Sequence, residues 1–182
     1  MTNSPTTDIT WNIDPAHSRA EFKVKHMMIS NVRGSFNGIT GTLIENPAQP
    51  SLSRVEALIS VGTVNTGDEK RDGHLKSADF FDSENHPSMT FTSTKVDRKG
   101  AEEYAVTGDL SLHGITKSVT FDVEGPSAPA KDPWENTRIG LSATTTINRK
   151  DFGLVWNAAL ESGGILVGEE IHISLDVQLV KS

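Results

Sequence analysis

The stretch Ile171-His172-Ile173-Ser174-Leu175-Asp176-Val177-Gln178-Leu179 decides the fold class. Five aliphatic residues, Ile171, Ile173, Leu175, Val177 and Leu179, alternate with His172, Ser174, Asp176 and Gln178 without a break. Successive strand residues point to opposite faces, so the segment presents one apolar and one polar surface. Such a strand belongs to an antiparallel sheet with one face in water, because strands buried on both faces read as continuous apolar runs.

The same alternation recurs upstream. Ala20, Phe22 and Val24 alternate with Arg19, Glu21, Lys23 and Lys25, and Val55, Ala57, Ile59 and Val61 form a second apolar face. Met89 and Phe91 alternate with threonines, and Tyr104, Val106, Leu110 and Leu112 share a face with Gly108. Val119, Phe121 and Val123 form another set, followed by Ile139, Leu141, Ala143 and Ile147 with Thr145 among them. With the glycine-rich segment 32–44, eight long strands are expected, and a short one at 11–14. Composition agrees: Val, Ile and Thr number 13, 12 and 18, against 12 each for Ala and Leu. Branching at Cβ suits a pleated strand and costs side-chain freedom in a helix. Eight half-apolar strands without long intervening helices predict an all-β fold, a closed antiparallel barrel or a sandwich.

The exception is residues 68–82, where acidic residues lead a mixed-charge stretch and Leu75, Ala78 and Phe81 recur at helical spacing. One or two short helical turns are expected there, broken around Gly73. His86-Pro87 closes the segment, since the residue before proline favours extended geometry. At 182 residues the chain is sized for one domain, and no proline- or glycine-rich stretch is long enough to be a linker. The expected organisation is a flexible tail over 1–10 and a single domain over 11–182.

Composition also excludes functions. Without cysteine there is no disulfide framework, thiolate metal cluster or cysteine nucleophile. Uncharged apolar-leaning runs such as 152–160 fall far short of the ~20 residues that span a bilayer. A net charge of −7 argues against nucleic acid or an anionic membrane as partner. The opening MTNSPTTDIT has neither a basic segment nor an apolar core, so no secretory signal is read in it.

A barrel of about eight strands either fills with its own side chains or encloses one small ligand. Its inward faces here combine large residues (Phe22, Phe36, Phe91, Phe121) with small ones (Ala20, Gly34, Gly38, Ala57, Gly108, Ala143). The small residues leave room for a slim apolar ligand, or they make way for their large neighbours; sequence leaves both open. Six histidines show no H-E-x-x-H or H-x-H spacing, so no metal site is expected. His17 reads as a turn-capping residue and His172 as solvated. No G-x-S-x-G elbow supports serine catalysis. Arg71-Asp72-Gly73-His74 and Asn148-Arg149-Lys150-Asp151 are the densest polar clusters beside apolar residues. They present cations to a ligand head group, for which guanidinium offers two parallel hydrogen bonds, or Arg71, Asp72, Arg149 and Asp151 pair with one another.

Several segments, in order, resemble the YceI family of lipocalin-like, polyisoprenoid-binding proteins. Trp11-Asn12-Ile13-Asp14-Pro15-Ala16-His17-Ser18 running on to Phe22-Lys23-Val24-Lys25-His26 is similar to that family's opening, and Gly34-Ser35-Phe36-Asn37-Gly38-Ile39-Thr40-Gly41 to its glycine-rich segment. Residues 64–82, beginning Val64-Asn65-Thr66-Gly67-Asp68-Glu69-Lys70-Arg71-Asp72-Gly73-His74, resemble its most distinctive motif. Pro87 through Phe91, Gly108-Asp109-Leu110-Ser111-Leu112-His113-Gly114-Ile115-Thr116 and Asn148-Arg149-Lys150-Asp151-Phe152-Gly153-Leu154 complete the match.

The resemblance implies an eight-stranded antiparallel lipocalin-like barrel around an elongated apolar channel, and a homodimer. It turns the lumen reading toward a bound chain, a polyisoprenoid or fatty-acid-like lipid, with no other cofactor. On that reading Phe22, Val24, Phe36, Ala57, Ile59, Phe91, Val106, Leu110, Phe121 and Leu141 line the lumen. Phe80, Phe81, Phe152 and Trp156 close one end, and Arg71, His74 and Arg149 are the head-group candidates. The protein would then carry or sequester a prenyl lipid such as an isoprenoid quinone precursor, without catalysis. Many relatives are periplasmic; the opening Met1-Thr2-Asn3-Ser4-Pro5 reads instead as a cytoplasmic member. Two alternatives stand beside this. One is an enzyme acting on a prenyl phosphate through Asp72, His74 or Asp151 as acid–base groups. The other is a filled barrel acting through its surface as a stress-response partner.

Overall fold

A computed structural model describes residues 7–182. Eleven strands follow one another: β1 (Ile9–Ile13), β2 (Arg19–His26), β3 (Ser30–Phe36), β4 (Thr40–Glu45), β5 (Arg54–Ser60), β6 (Ser88–Arg98), β7 (Glu103–Leu112), β8 (Ile115–Glu124), β9 (Ala130–Lys131), β10 (Thr137–Asn148) and β11 (Val167–Lys181). All pairings between them are antiparallel. β1, β4, β5, β6, β7, β8, β10 and β11 hydrogen-bond in that order, and β11 returns to β1, which closes an eight-stranded barrel. Closure leaves only β3 and the two-residue β9 as terminal strands of the sheet, which limits the open edges that invite aggregation.

β11 is the strand on which closure turns. One of its edges pairs with β10 along eleven residues. Its other edge pairs with β2 over its first half and with β1 over its last residues. β2 and β3 therefore form a hairpin that extends the wall at one end only, and β3 meets the following loop through the bridge Ser35↔Asn65. The inner face of β11 is the aliphatic set from Ile171 to Leu179, as the alternation requires.

Three expectations change. The glycine-rich segment 32–44 is two strands, because Asn37-Gly38-Ile39 turns the chain, with Gly38 at φ 77°. The helix α1 (Glu69–Lys76) runs unbroken through Gly73, whose Cβ position is open space. Asp68 caps it by accepting the Arg71 N–H at 2.9 Å. Strand β1 begins at Ile9, inside the expected tail, whose first six residues lie outside the described residues.

The packed core falls into three clusters around the barrel. Trp11, Leu43, Ile139, Val177 and Leu179 pack at the β1 end. Phe80, Leu112, Ile147, Phe152 and Leu154 pack beneath the α1 segment, and Ala20, Phe36 and Val64 join the β2–β3 hairpin to the loop before it. The described residues include no helix long and apolar enough to cross a membrane.

Candidate functional site

Between these clusters lies a cavity of about 400 Å³, inside the range of small-molecule pockets. It reaches from Phe80, Phe81 and Leu75 beneath α1 to Pro47, Pro50, Tyr104 and Pro126 at the other end. The inner residues of β11 span about 26 Å of strand at ~3.3 Å per residue, or roughly 20 Å along the axis at a tilt near 40°. The space is elongated because the strands are.

Every lining candidate except Phe152 and Trp156 borders this cavity. Phe152 is 1% exposed and sits behind the wall, against Phe80, Leu112 and Leu154. Trp156 reaches the lumen only through Phe80, whose ring centroid is 5.3 Å away. Sequence reasoning missed Leu75, Ile147, Leu154, Ile171, Ile173 and Leu175, which also line the space. For the β11 residues the signal was present, since their alternation already placed them inward.

Two of the small inward residues make way for neighbours. A Cβ on Gly34 would stand 2.3 Å from the Phe22 ring, and one on Gly108 would stand 2.5 Å from the Phe91 ring. These glycines accommodate aromatic rings that themselves face the cavity. The open volume therefore comes from the barrel's girth, and at these two positions the glycine space is filled.

The three head-group candidates separate. Arg71 donates to the Thr66 hydroxyl and carbonyl, at 2.7 and 3.0 Å, and stays on the outer side of the loop. His74 packs edge-on against Phe80 and Trp156, with Nε2 2.8 Å from an Asp79 oxygen. Neither borders the cavity. Arg149 does, and it is 3% exposed. Its guanidinium donates to the carbonyls of Leu154, Trp156, Val167 and Gly168 at 2.7–3.2 Å. A guanidinium has five N–H donors, so one remains. Burial lowers the Arg149 pKa, and the Glu169 charge opposes that shift.

The expected pairing among Arg71, Asp72, Arg149 and Asp151 does not form. Asp72 accepts from the Thr66 N–H and hydroxyl at 2.8 and 2.6 Å. Arg149 turns to backbone carbonyls, and Lys150 takes Glu169 at 2.7 Å. The Arg71 cluster is satisfied within its own loop, and the Arg149 cluster by its own loop together with the start of β11. His17 contacts Asp14, which caps the turn Pro15–His17, so the capping carboxylate is Asp14 and the histidine supports it. His172 lies on the exposed face, 3.0 Å from the Thr146 hydroxyl.

Eight antiparallel strands closed around an elongated apolar cavity, with Arg149 the one buried cation among the described residues, define a hollow-barrel protein. The sequence matches the YceI-like domain over residues 11–179. This chain belongs to the YceI family. A UPF0312 protein of Staphylococcus aureus strain MSSA476 is 38% identical over 169 residues, covering 92% of this chain and 95% of its own. The crystal structure of the Campylobacter jejuni YCEI protein superposes with a TM-score of 0.72 at 29% identity, over 87% of this chain and 90% of that one. A polyisoprenoid binding domain from Saccharophagus degradans shares the fold, with a TM-score of 0.68 at 16% identity over 94% and 98% of the two chains.

Proposed function

We propose that this protein encloses the chain of a polyisoprenoid or fatty-acid-like lipid in its lumen and carries or sequesters it without chemical change. The observation that carries the reading is the cavity itself: about 400 Å³, elongated, mostly apolar in its lining, with Arg149 the only Lys, Arg or His side chain bordering it among the described residues. Each buried CH₂ contributes about 0.8 kcal/mol, so a long chain is held without polar contacts. The remaining Arg149 N–H is suited to an oxygen on the lipid. The S. degradans domain supports the fold, and the choice of ligand rests on this chain's own cavity.

The geometry favours binding over catalysis. Asp72 is engaged by Thr66 and His74 by Asp79, both outside the lumen. A homodimer belongs to the same proposal: the β2–β3 turn exposes Met27, Met28 and Ile29, at 42, 62 and 80%.

Native mass spectrometry of freshly purified protein tests the reading. The expected result is a mass increment of one lipid per chain, released on denaturation and identifiable after extraction. A clean unliganded mass, with no uptake of added prenyl alcohol or fatty acid, overturns it.

A further inference from the structure

Asp82, His86 and His113 converge beside the barrel wall, although the two histidines stand 27 positions apart in sequence. One donor atom from each lies within 4.8 Å of the others, and all three residues are half-buried. We propose that they form a binding site for a divalent transition-metal ion of zinc type, which fastens the segment after α1 to the turn between β7 and β8. The site is independent of the lumen.

The backbone builds the cluster on purpose-shaped turns. Asp82 sits at φ 48° with its carbonyl accepting from the N–H groups of Asn85 and His86, at 3.1 and 2.8 Å, which folds His86 back over it. His113 and Gly114 are the two central residues of the β7–β8 hairpin, at φ 54° and 73°, the signature of a type I′ turn. A Cβ on Gly114 would stand 2.8 Å from the His86 ring, so glycine there keeps the ring's place open.

The chemistry of the donors fits as well. His113 Nδ1 lies 3.0 Å from the Phe152 carbonyl, which only accepts, so Nδ1 carries the proton and Nε2 keeps its lone pair. Metal-bound histidines hold their tautomer by this kind of bond. The Asp82 carboxylate is oriented by Asn85 Nδ2 at 2.9 and 3.1 Å, a second outer support. Zinc takes histidine nitrogen and carboxylate oxygen at about 2.0–2.2 Å, so tetrahedral donors stand roughly 3.4 Å apart. Side-chain rotations of about an ångström or less close the set, with water in the fourth position. Two nitrogens and one carboxylate suit zinc, nickel or cobalt, whereas magnesium and calcium require more oxygens.

Titration of chelator-treated protein with zinc chloride tests the site. One ion per chain is expected, with a Tm that rises as zinc is added and slower amide exchange at 82–86 and 113–115. Magnesium and calcium should bind at least tenfold more weakly. Asp82→Asn and His113→Asn both retain a residue tolerant of left-handed backbone, so they preserve the fold while removing a ligand. Each, like His86→Gln, should weaken zinc at least tenfold, while His172→Ala on the outer face leaves it unchanged. The absence of saturable zinc binding overturns the proposal. So does wild-type affinity in any of the three ligand variants, or loss of affinity only in those that circular dichroism shows to be unfolded.

Discussion

Arg149 carries a buried charge in a wall where, among the described residues, no carboxylate stands at ion-pair distance. Its counter-charge is spread over four backbone carbonyls, two from the loop after residue 153 and two from the start of β11, which the guanidinium fork reaches together. Truncation strips partners from all of them, and each buried polar group left unpaired costs about 1–3 kcal/mol. Arg149→Ala is expected to lower stability by about 3 kcal/mol or more in urea unfolding. Arg149→Lys, with three donors on a flexible stem, restores only part of it. Arg138 is a different case. It bridges Asp14 and Asp132 at 2.6 and 2.7 Å. That guanidinium is the main cause holding both carboxyls at about 2, below their ordinary 3.8; His17 assists at Asp14 and Asn136 at Asp132. Depressed carboxylate pKa values contribute stability that is complete above pH ~4 and lost as pH falls through ~2. Arg138→Gln should therefore flatten the acid limb of a Tm-versus-pH curve between about pH 4 and 2. An unchanged slope would assign the acid sensitivity to other groups.

At the level of elements, α1 is short and is held by its ends and by the contacts of Arg71, Asp72, His74 and Leu75. Asp68 accepts the Arg71 N–H, Ser77 closes the other end onto His74, and none of the eight residues is buried. Replacing an N-cap carboxylate by alanine costs about 1 kcal/mol. Because Phe80 and Phe81 line the cavity just beyond this helix, the proposed lipid binding predicts that Asp68→Ala also speeds lipid exchange, measured by transfer of a fluorescent fatty acid to vesicles. Exchange as slow as in the wild type would place the entrance at the Pro47–Tyr104 end. The physics of local patterning explains what sequence revealed. Alternation has a period of two, so β2 and β5 showed both their extent and their inner faces, and β11 its inner face, although it runs beyond the alternating stretch to Val167 and Lys181. The break in 32–44 was hidden because glycine in a strand reads the same as glycine in a turn. Helix continuity through Gly73 was hidden because glycine weakens a helix by only about 1 kcal/mol, which tertiary contacts offset. Arg149 was legible only as a cation near apolar residues, since its carbonyl partners come from a loop and from the first residues of β11, ahead of the alternating stretch, whose path no periodicity records. The convergence of Asp82, His86 and His113 depends on two positive-φ turns meeting across the wall, and residue spacing carries no trace of that.

For the whole molecule, the decisive quantity is interior volume that the chain does not fill with its own atoms. Protein interiors are packed as densely as organic crystals, and a void forfeits contacts on its lining. A cavity of about 400 Å³ is thus a standing cost in the free protein, relieved when a ligand occupies it. This gives stability and binding opposite responses to one substitution. Ile59 lines the cavity and is only half-buried, so a larger side chain there grows into open space before it meets packed neighbours. Ile59→Trp should hold or raise the Tm of delipidated protein by a few degrees, and lower lipid affinity at least tenfold. In wild-type protein added lipid should raise the Tm in a concentration-dependent way, as mass action requires of any ligand that binds only the folded state. A fall in Tm with Ile59→Trp would mean that the lumen is already packed at that depth. Unchanged lipid uptake in a folded Ile59→Trp variant would place the chain outside the barrel, and the cavity would then be a cost with no ligand to relieve it.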